Sequence, residues 1–217
     1  MLYDLCIFDL DGTLTDPEVG ITKSYQYALS SFGIHEDLES LRRLIGPPLR
    51  YNFGKVYGFS ESDTERAVVV YREYFAETGV FENVVYPGVP EMLTKLVEGG
   101  KTLAVATNKA EVFAKQIIKH FGLEDYFANV SGDELDGSRT INGKRDIIRI
   151  VLDRLDPKRN KNAVMIGDRE HDIIGANENG IDGIGITWGF GSREELNEAG
   201  TIKIVESTDE LCRLLIP

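Results

Sequence analysis

Cysteine is scarce in this chain of 217 residues: Cys6 lies inside an apolar run and Cys212 near the far end. Two such residues are too few for a disulfide framework and serve better as small buried hydrophobes, so a reducing compartment suits the protein. Long apolar runs are missing too. Nothing approaches the roughly 18 to 20 residues needed to cross a bilayer, and no basic segment followed by a signal-like stretch precedes the first strand pattern. The expectation is a cytoplasmic protein with no membrane partner. Positive charge is in short supply, with 24 Lys and Arg against 36 Asp and Glu and a net charge of -12. That balance argues against a nucleic acid polymer, whose binding relies on many cationic contacts to phosphate. A small phosphate remains possible, because a metal ion and one lysine can hold it locally. The three histidines, His35, His120 and His171, show no metal-ligand spacing and receive no role.

What is present is ordinary for a folded domain. At 42% hydrophobic and 28% charged, the chain can bury one good core with a smaller attachment. Six short β-rich runs stand out: Tyr3 to Phe8, Thr102 to Ala106, Ala128 to Ser131, Ala163 to Ile166, Gly183 to Thr187 and Ile202 to Val205. Helical patterns lie between most of them. Asn108-Lys109-Ala110-Glu111 reads as an N-cap with its capping-box Glu, followed by Val112, Phe113, Ile117, Ile118 and Phe121 at helical spacing, and Gly122 closes that helix. Residues 88 to 99 and 144 to 155 repeat the design. Strand alternating with helix predicts an α/β fold, a Rossmann-like doubly wound parallel sheet covered on both faces.

Between Thr15 and about Asn83 the pattern is helical throughout. Ile21, Tyr25, Leu29 and Phe32 recur at three or four residues, as do Leu38, Leu41, Leu44 and Ile45, and then Ala67, Val68, Tyr71, Tyr74 and Phe75. This predicts an inserted helical-bundle cap domain over residues 16–83, with residues 1–15 and 84–217 forming the core. Such an insertion can act as a lid, or its helices can simply pack on the sheet.

The chemistry concentrates at strand ends, where open parallel sheets bind ligands. Asp9 and Asp11 stand two apart where the first strand runs into Gly12-Thr13, so their carboxylates leave the sheet on one side. Held together, they repel unless a cation neutralises them or one keeps its proton. The second strand ends in Thr107-Asn108 and the fourth in Gly167-Asp168-Arg169-Glu170-His171-Asp172, while Lys144 opens the helix before that fourth strand.

These four pieces, in this order, resemble the haloacid dehalogenase superfamily of aspartate-nucleophile phosphotransferases, over nearly the whole chain. The resemblance implies a Mg2+-dependent phosphatase in which Asp9 is the nucleophile that forms an aspartyl-phosphate and Asp11 is the general acid and base. It implies Mg2+ on a carboxylate of Asp9, the backbone carbonyl of Asp11 and Asp168, with Asp172 holding the metal's water or Asp168 itself. An acid at Asp172 equally complements a helix N-terminus. Thr107, Asn108 and Lys144 would bind the phosphoryl oxygens. Many relatives have Lys-Pro where Lys144-Arg145 stands, which keeps Lys109 and Arg145 as other candidates for the lysine's role. The insertion resembles the family's small cap, which chooses the leaving group; Arg50, after Gly46-Pro47-Pro48-Leu49, is the candidate to grip a second substrate group, or a plain surface arginine. Trp188-Gly189-Phe190-Gly191 reads as part of the pocket wall or, the favoured reading, as aromatics packing a glycine-rich loop on the core.

The expected activity is hydrolysis of a small phosphorylated metabolite, phosphoglycolate phosphatase-like, by a monomer or weak homodimer. A 5'-nucleotidase of the same superfamily is the alternative. From another class, a non-catalytic metal- or phosphate-binding regulatory protein would release no phosphate from an aryl ester.

Overall fold

The computed structural model of the protein describes residues 3–135, 143–158 and 162–216. Leu5–Phe8 forms strand β1, whose four residues are all buried. The chain then passes through Thr15–Asp16 (β2) into helices Glu18–Ser30 (α1), Leu38–Leu41 (α2), Leu49–Tyr51 (α3) and Glu61–Tyr74 (α4), and returns by Val84–Val85 (β3). After that it alternates: Val89–Glu98 (α5), Thr102–Ala110 (β4), Glu111–His120 (α6), Phe127–Asp133 (β5), Lys144–Leu155 (α7), Ala163–Gly167 (β6), Glu170–Glu178 (α8), Asp182–Ile186 (β7), Arg193–Glu198 (α9), Lys203–Val205 (β8) and Thr208–Leu215 (α10).

Six of these strands make one parallel sheet in the order β5-β4-β1-β6-β7-β8. The α/β doubly wound class expected from the alternation is what the chain adopts. β1 lies between β4 and β6, with Leu5 level with both Thr102 and Ala163, so Asp9, Thr107 and Asp168 emerge at one edge. Under α7, a cluster of Leu5, Ile7, Ala104, Ile147, Val151 and Met165 is sealed from water. Apolar side chains on facing layers bury the area that drives folding.

The chain divides into two compact units, Met1–Asp16 with Val85–Pro217, and Pro17–Val84. In the second, Tyr25, Leu29, Leu41, Leu44, Phe53, Val68 and Phe75 form a buried interior. Asn52 holds it in register by donating to the Tyr25 hydroxyl at 2.7 Å and to the Leu44 carbonyl at 2.9 Å. The helix around Asn52 escaped the sequence reading, since Leu49–Val56 is short and carries only one large apolar residue, Phe53, on its inner side.

Two sequence expectations are corrected in this frame. The stretch at Asn108 is strand, and Asn108 is not a helix cap: β4 runs on to Ala110, which pairs with Asp133 of β5 after a register shift. Helix α6 starts at Glu111 with Ala110 before it and no side-chain cap. Sheet pairing therefore outcompeted the local capping signal. Strand β5 is also longer than expected, Phe127–Asp133, because it follows β4 past the irregularity.

Candidate active site

Asp9 is the first residue past β1, fixed by its N–H donating to the Ile166 carbonyl at 2.9 Å. The chain then turns tightly, with the N–H groups of Leu14 and Thr15 converging on the Leu10 carbonyl. Gly12 makes that turn possible at φ +87°, and a side chain there would overlap the carboxylate of Asp168. Thus the turn brings Asp9 and Asp11 out of the sheet and makes room for a third acid.

Four carboxylates gather here. Asp9, Asp168 and Asp172 are buried, and the Asp11 side chain is only 13% exposed. Lys144, the first residue of α7, places its ammonium 2.6 Å from Asp9 Oδ1 and 2.8 Å from Asp172 Oδ1 and donates to the Ala106 carbonyl at 2.9 Å. Lys109 Nζ stands 2.9 Å from Asp11 Oδ2. Asp168 accepts from the Phe190 N–H at 2.8 Å and from the Thr13 hydroxyl at 3.3 Å. Asp172 Oδ2 accepts the Arg169 N–H at 3.1 Å, capping α8. Gly167 is required beside it, because any side chain there would overlap the Asp172 carboxylate.

Burial dominates the electrostatics. It raises the pKa of Asp9 against the pull of Lys144, and that of Asp11 against the pull of Lys109. Burial, with Asp172 and Asp9 close by, pushes Asp168 up to about 8. Lys144 moves up: burial disfavours its charge, but Asp172 and Asp9 outweigh that. His171, buried and near the Lys144 ammonium, is pushed down to about 3 and stays neutral.

A family model described as haloacid dehalogenase-like hydrolase matches residues 6–186. The chain belongs to that family. A protein named 5'-nucleotidase from Pseudomonas aeruginosa is 49% identical over 195 residues, covering 89% of this chain and 87% of its own. The protein named Tyrosine-protein kinase PtkA of Mycobacterium tuberculosis H37Rv is 38% identical over 95% of this chain and 70% of its own. A phosphoglycolate phosphatase from Agrobacterium fabrum is 29% identical over 87% and 82%. Among solved structures, a predicted phosphatase from Clostridium acetobutylicum superposes with a TM-score of 0.93 at 48% identity, over 99% of this chain and 98% of that one. The chain is an enzyme, a phosphatase of the haloacid dehalogenase-like hydrolases.

The family's strand-end residues therefore meet at one place in this hydrolase. Asp9, Asp11, Lys144, Asp168 and Asp172 are joined through the two lysines and their neighbours. Thr107 is buried within β4 and accepts the Lys109 N–H at 3.2 Å, and Asn108 Oδ1 is buried with no donor. Arg50 belongs to the other unit, where its guanidinium pairs with both carboxylate oxygens of Glu65 at 2.6 and 2.9 Å. Asp172 is also recast, since one oxygen serves Lys144 and the other the helix cap.

Other participants were missed or misjudged. Lys109 was read as a stand-in for Lys144, but each lysine has its own carboxylate. The loop after β7 is part of the site: Phe190 donates its N–H to Asp168, and the Trp188 indole N–H holds the Thr13 carbonyl at 3.0 Å. Its signal was the glycine-aromatic alternation itself, for which core packing was favoured over a pocket wall. His171 had no spacing signal, because its neighbours Asp9 and Asp172 come from a distant strand and the adjacent residue.

The residues fit a divalent cation. Four acidic side chains face two ammonium groups; Asp9 Oδ1 and Asp172 Oδ1 share the single Lys144 ammonium, and Asp11 Oδ1 is buried without a hydrogen-bond donor. Such a set is costly without further positive charge. Asp9, His171 and Asp172 present donor atoms within 4.8 Å of one another, a group that could hold a metal ion. Two of the three already contact the Lys144 ammonium. Among the described residues, no helix is long and apolar enough to cross a membrane.

Proposed function

We propose that the protein is a Mg2+-dependent phosphomonoester hydrolase that works through an aspartyl-phosphate on Asp9, with nucleoside 5'-monophosphates as its leading substrate class. The observation that carries the reaction is the buried Asp9 carboxylate gripped by Lys144 at 2.6 Å, two residues from a second acid with its own lysine. Lys144 orients Asp9 and reduces its repulsion toward an incoming phosphate. Asp172 in turn fixes the ammonium.

Asp9, Asp168 and the backbone carbonyl of Asp11 would hold Mg2+, an oxygen set that suits this ion. Bound there, the ion would neutralise charge between carboxylate and phosphoryl oxygens. Thr107, Asn108 and the backbone after them would bind the phosphoryl group. Asp11, whose pKa burial has raised, would give its proton to the leaving alcohol and later take one from water. The unit Pro17–Val84 would act as the cap that selects the leaving group.

On substrate, the sequence reading put phosphoglycolate-type esters first and nucleotides second. The order is reversed here: the relative named 5'-nucleotidase is 49% identical and the phosphoglycolate phosphatase 29%. Phosphate release from 4-nitrophenyl phosphate, nucleoside 5'-monophosphates, phosphoglycolate and sugar phosphates tests this. Mg2+-dependent turnover, stopped by chelator and by D9N, with nucleotides preferred, is expected. Turnover that survives D9N would remove Asp9 from the nucleophile role, and a preference for phosphoglycolate would restore the original order.

A further inference from the structure

We infer that Lys109 is a positioning residue for proton transfer: it clamps Asp11 by Oδ2 and leaves Oδ1 as the oxygen that carries the proton to the leaving group. The inference rests on the hydrolase reading above and assigns a residue that reading does not use. Three observations support it. The contact is asymmetric, with the Lys109 ammonium 2.9 Å from Oδ2 while Oδ1 is buried and accepts no hydrogen bond. The pair is nearly out of water, with side chains 7% and 13% exposed, so it is held far more firmly than a surface ion pair. Lys109 is also set from both sides: it lies in the irregular stretch of β4 before Ala110 re-pairs with Asp133, and its N–H donates to the hydroxyl of Thr107.

The division of labour explains why two lysine side chains meet the acids of this site. Lys144 is committed to Asp9 and Asp172, so it leaves Asp11 to Lys109. In the first half-reaction an Asp9 oxygen bonds to phosphorus as the phosphorus–oxygen bond to the alcohol breaks. The electron pair stays on the leaving oxygen, which takes the proton from Asp11 Oδ1. In the second, water oxygen bonds to phosphorus, its proton goes to Asp11, and the bond to Asp9 breaks with its electron pair returning to the carboxylate. An Asp11 free to rotate would meet the leaving oxygen less often, and only leaving groups that need the proton would suffer.

The test compares the full-length wild type with K109M, K109R, D11N and D9N on 4-nitrophenyl phosphate, whose leaving group departs unaided, and on ethyl phosphate, whose leaving group does not. K109M is expected to lose about 100-fold in kcat on ethyl phosphate and less than about fivefold on 4-nitrophenyl phosphate, the lower end of a general-acid contribution. D11N should reproduce the split and K109R should largely abolish it. Should K109M fail to fold by thermal melting, K109S, which leaves room for a water beside Asp11, gives the same comparison. Equal losses on both esters in a folded variant, or a rise in KM at unchanged kcat, would overturn the positioning role and place Lys109 in the scaffold or on the substrate. Activity surviving in D9N would instead bring down the underlying hydrolase reading, so the two failures are separable.

Discussion

Replacing Lys144 by methionine keeps the length of a side chain that is 1% exposed and removes the charge between Asp9 and Asp172. Two buried carboxylates are left facing each other. Loss of one partner from a buried ion pair costs about 3 to 5 kcal/mol, and in a chain of this size each kcal/mol lowers Tm by about 2 to 4 °C. The expected drop is therefore about 6 to 20 °C by calorimetry at pH 8 without divalent cation. Its pH dependence is the sharper check. Burial already lifts Asp9 above its ordinary value of 3.8, and Asp168 rises to about 8. A carboxyl whose folded pKa exceeds its unfolded one costs nothing below the unfolded value and destabilises progressively as pH rises toward the folded value. Without Lys144 the upward shift of Asp9 grows, so the loss in K144M should be smaller at pH 5 than at pH 8, and added Mg2+ should recover part of it. A Tm within 2 °C of wild type at pH 8 by the same scaling, or an equal loss at both pH values, would refute the idea that Lys144 is held there electrostatically.

Gly12→Ala should leave the far-ultraviolet circular dichroism unchanged but cut kcat by at least about 100-fold, because the φ of +87° and the Asp168 carboxylate both oppose a β-carbon; wild-type kcat would show that the turn yields freely. Arg50→Ala should change stability by less than about 1 kcal/mol, since the pair with Glu65 is 44% and 51% exposed. An altered order of substrates in that variant would support Arg50 as a substrate contact, and an unchanged order would leave it a surface residue. Glu195 has a lowered pKa: burial opposes this, but the Glu170 N–H and the Arg169 guanidinium outweigh it. Its contribution is complete above its ordinary 4.5 and disappears as pH falls through the lowered folded value. Glu195→Gln should thus cost about 1 to 2 kcal/mol in urea melts at pH 7 and nothing near pH 2; a constant difference would assign the effect to packing.

The sheet was legible mainly through its central strands, where short apolar runs stand between turn residues as a strand buried on both faces requires. Leu5–Phe8, fully buried, is the plainest case. What misled was local: Asn108-Lys109-Ala110-Glu111 has the composition of a helix start, and only pairing between Ala110 and Asp133, 23 positions apart, keeps it extended. The site divides along the same line. Asp9, Asp11 and Asp168 were readable because each sits next to a strand end in the sequence. Phe190, Trp188 and Lys109 were not, because what they do depends on meeting a residue from another strand: Asp168, Thr13 and Asp11 respectively. Sequence motifs record which carboxylates are present, whereas the partners that set their orientation and charge are recorded only in the packing. Arg50 shows the same. Read as a substrate grip or a plain surface arginine, it pairs within its own unit with Glu65, fifteen residues away on the next helix, a partner that no local pattern announces.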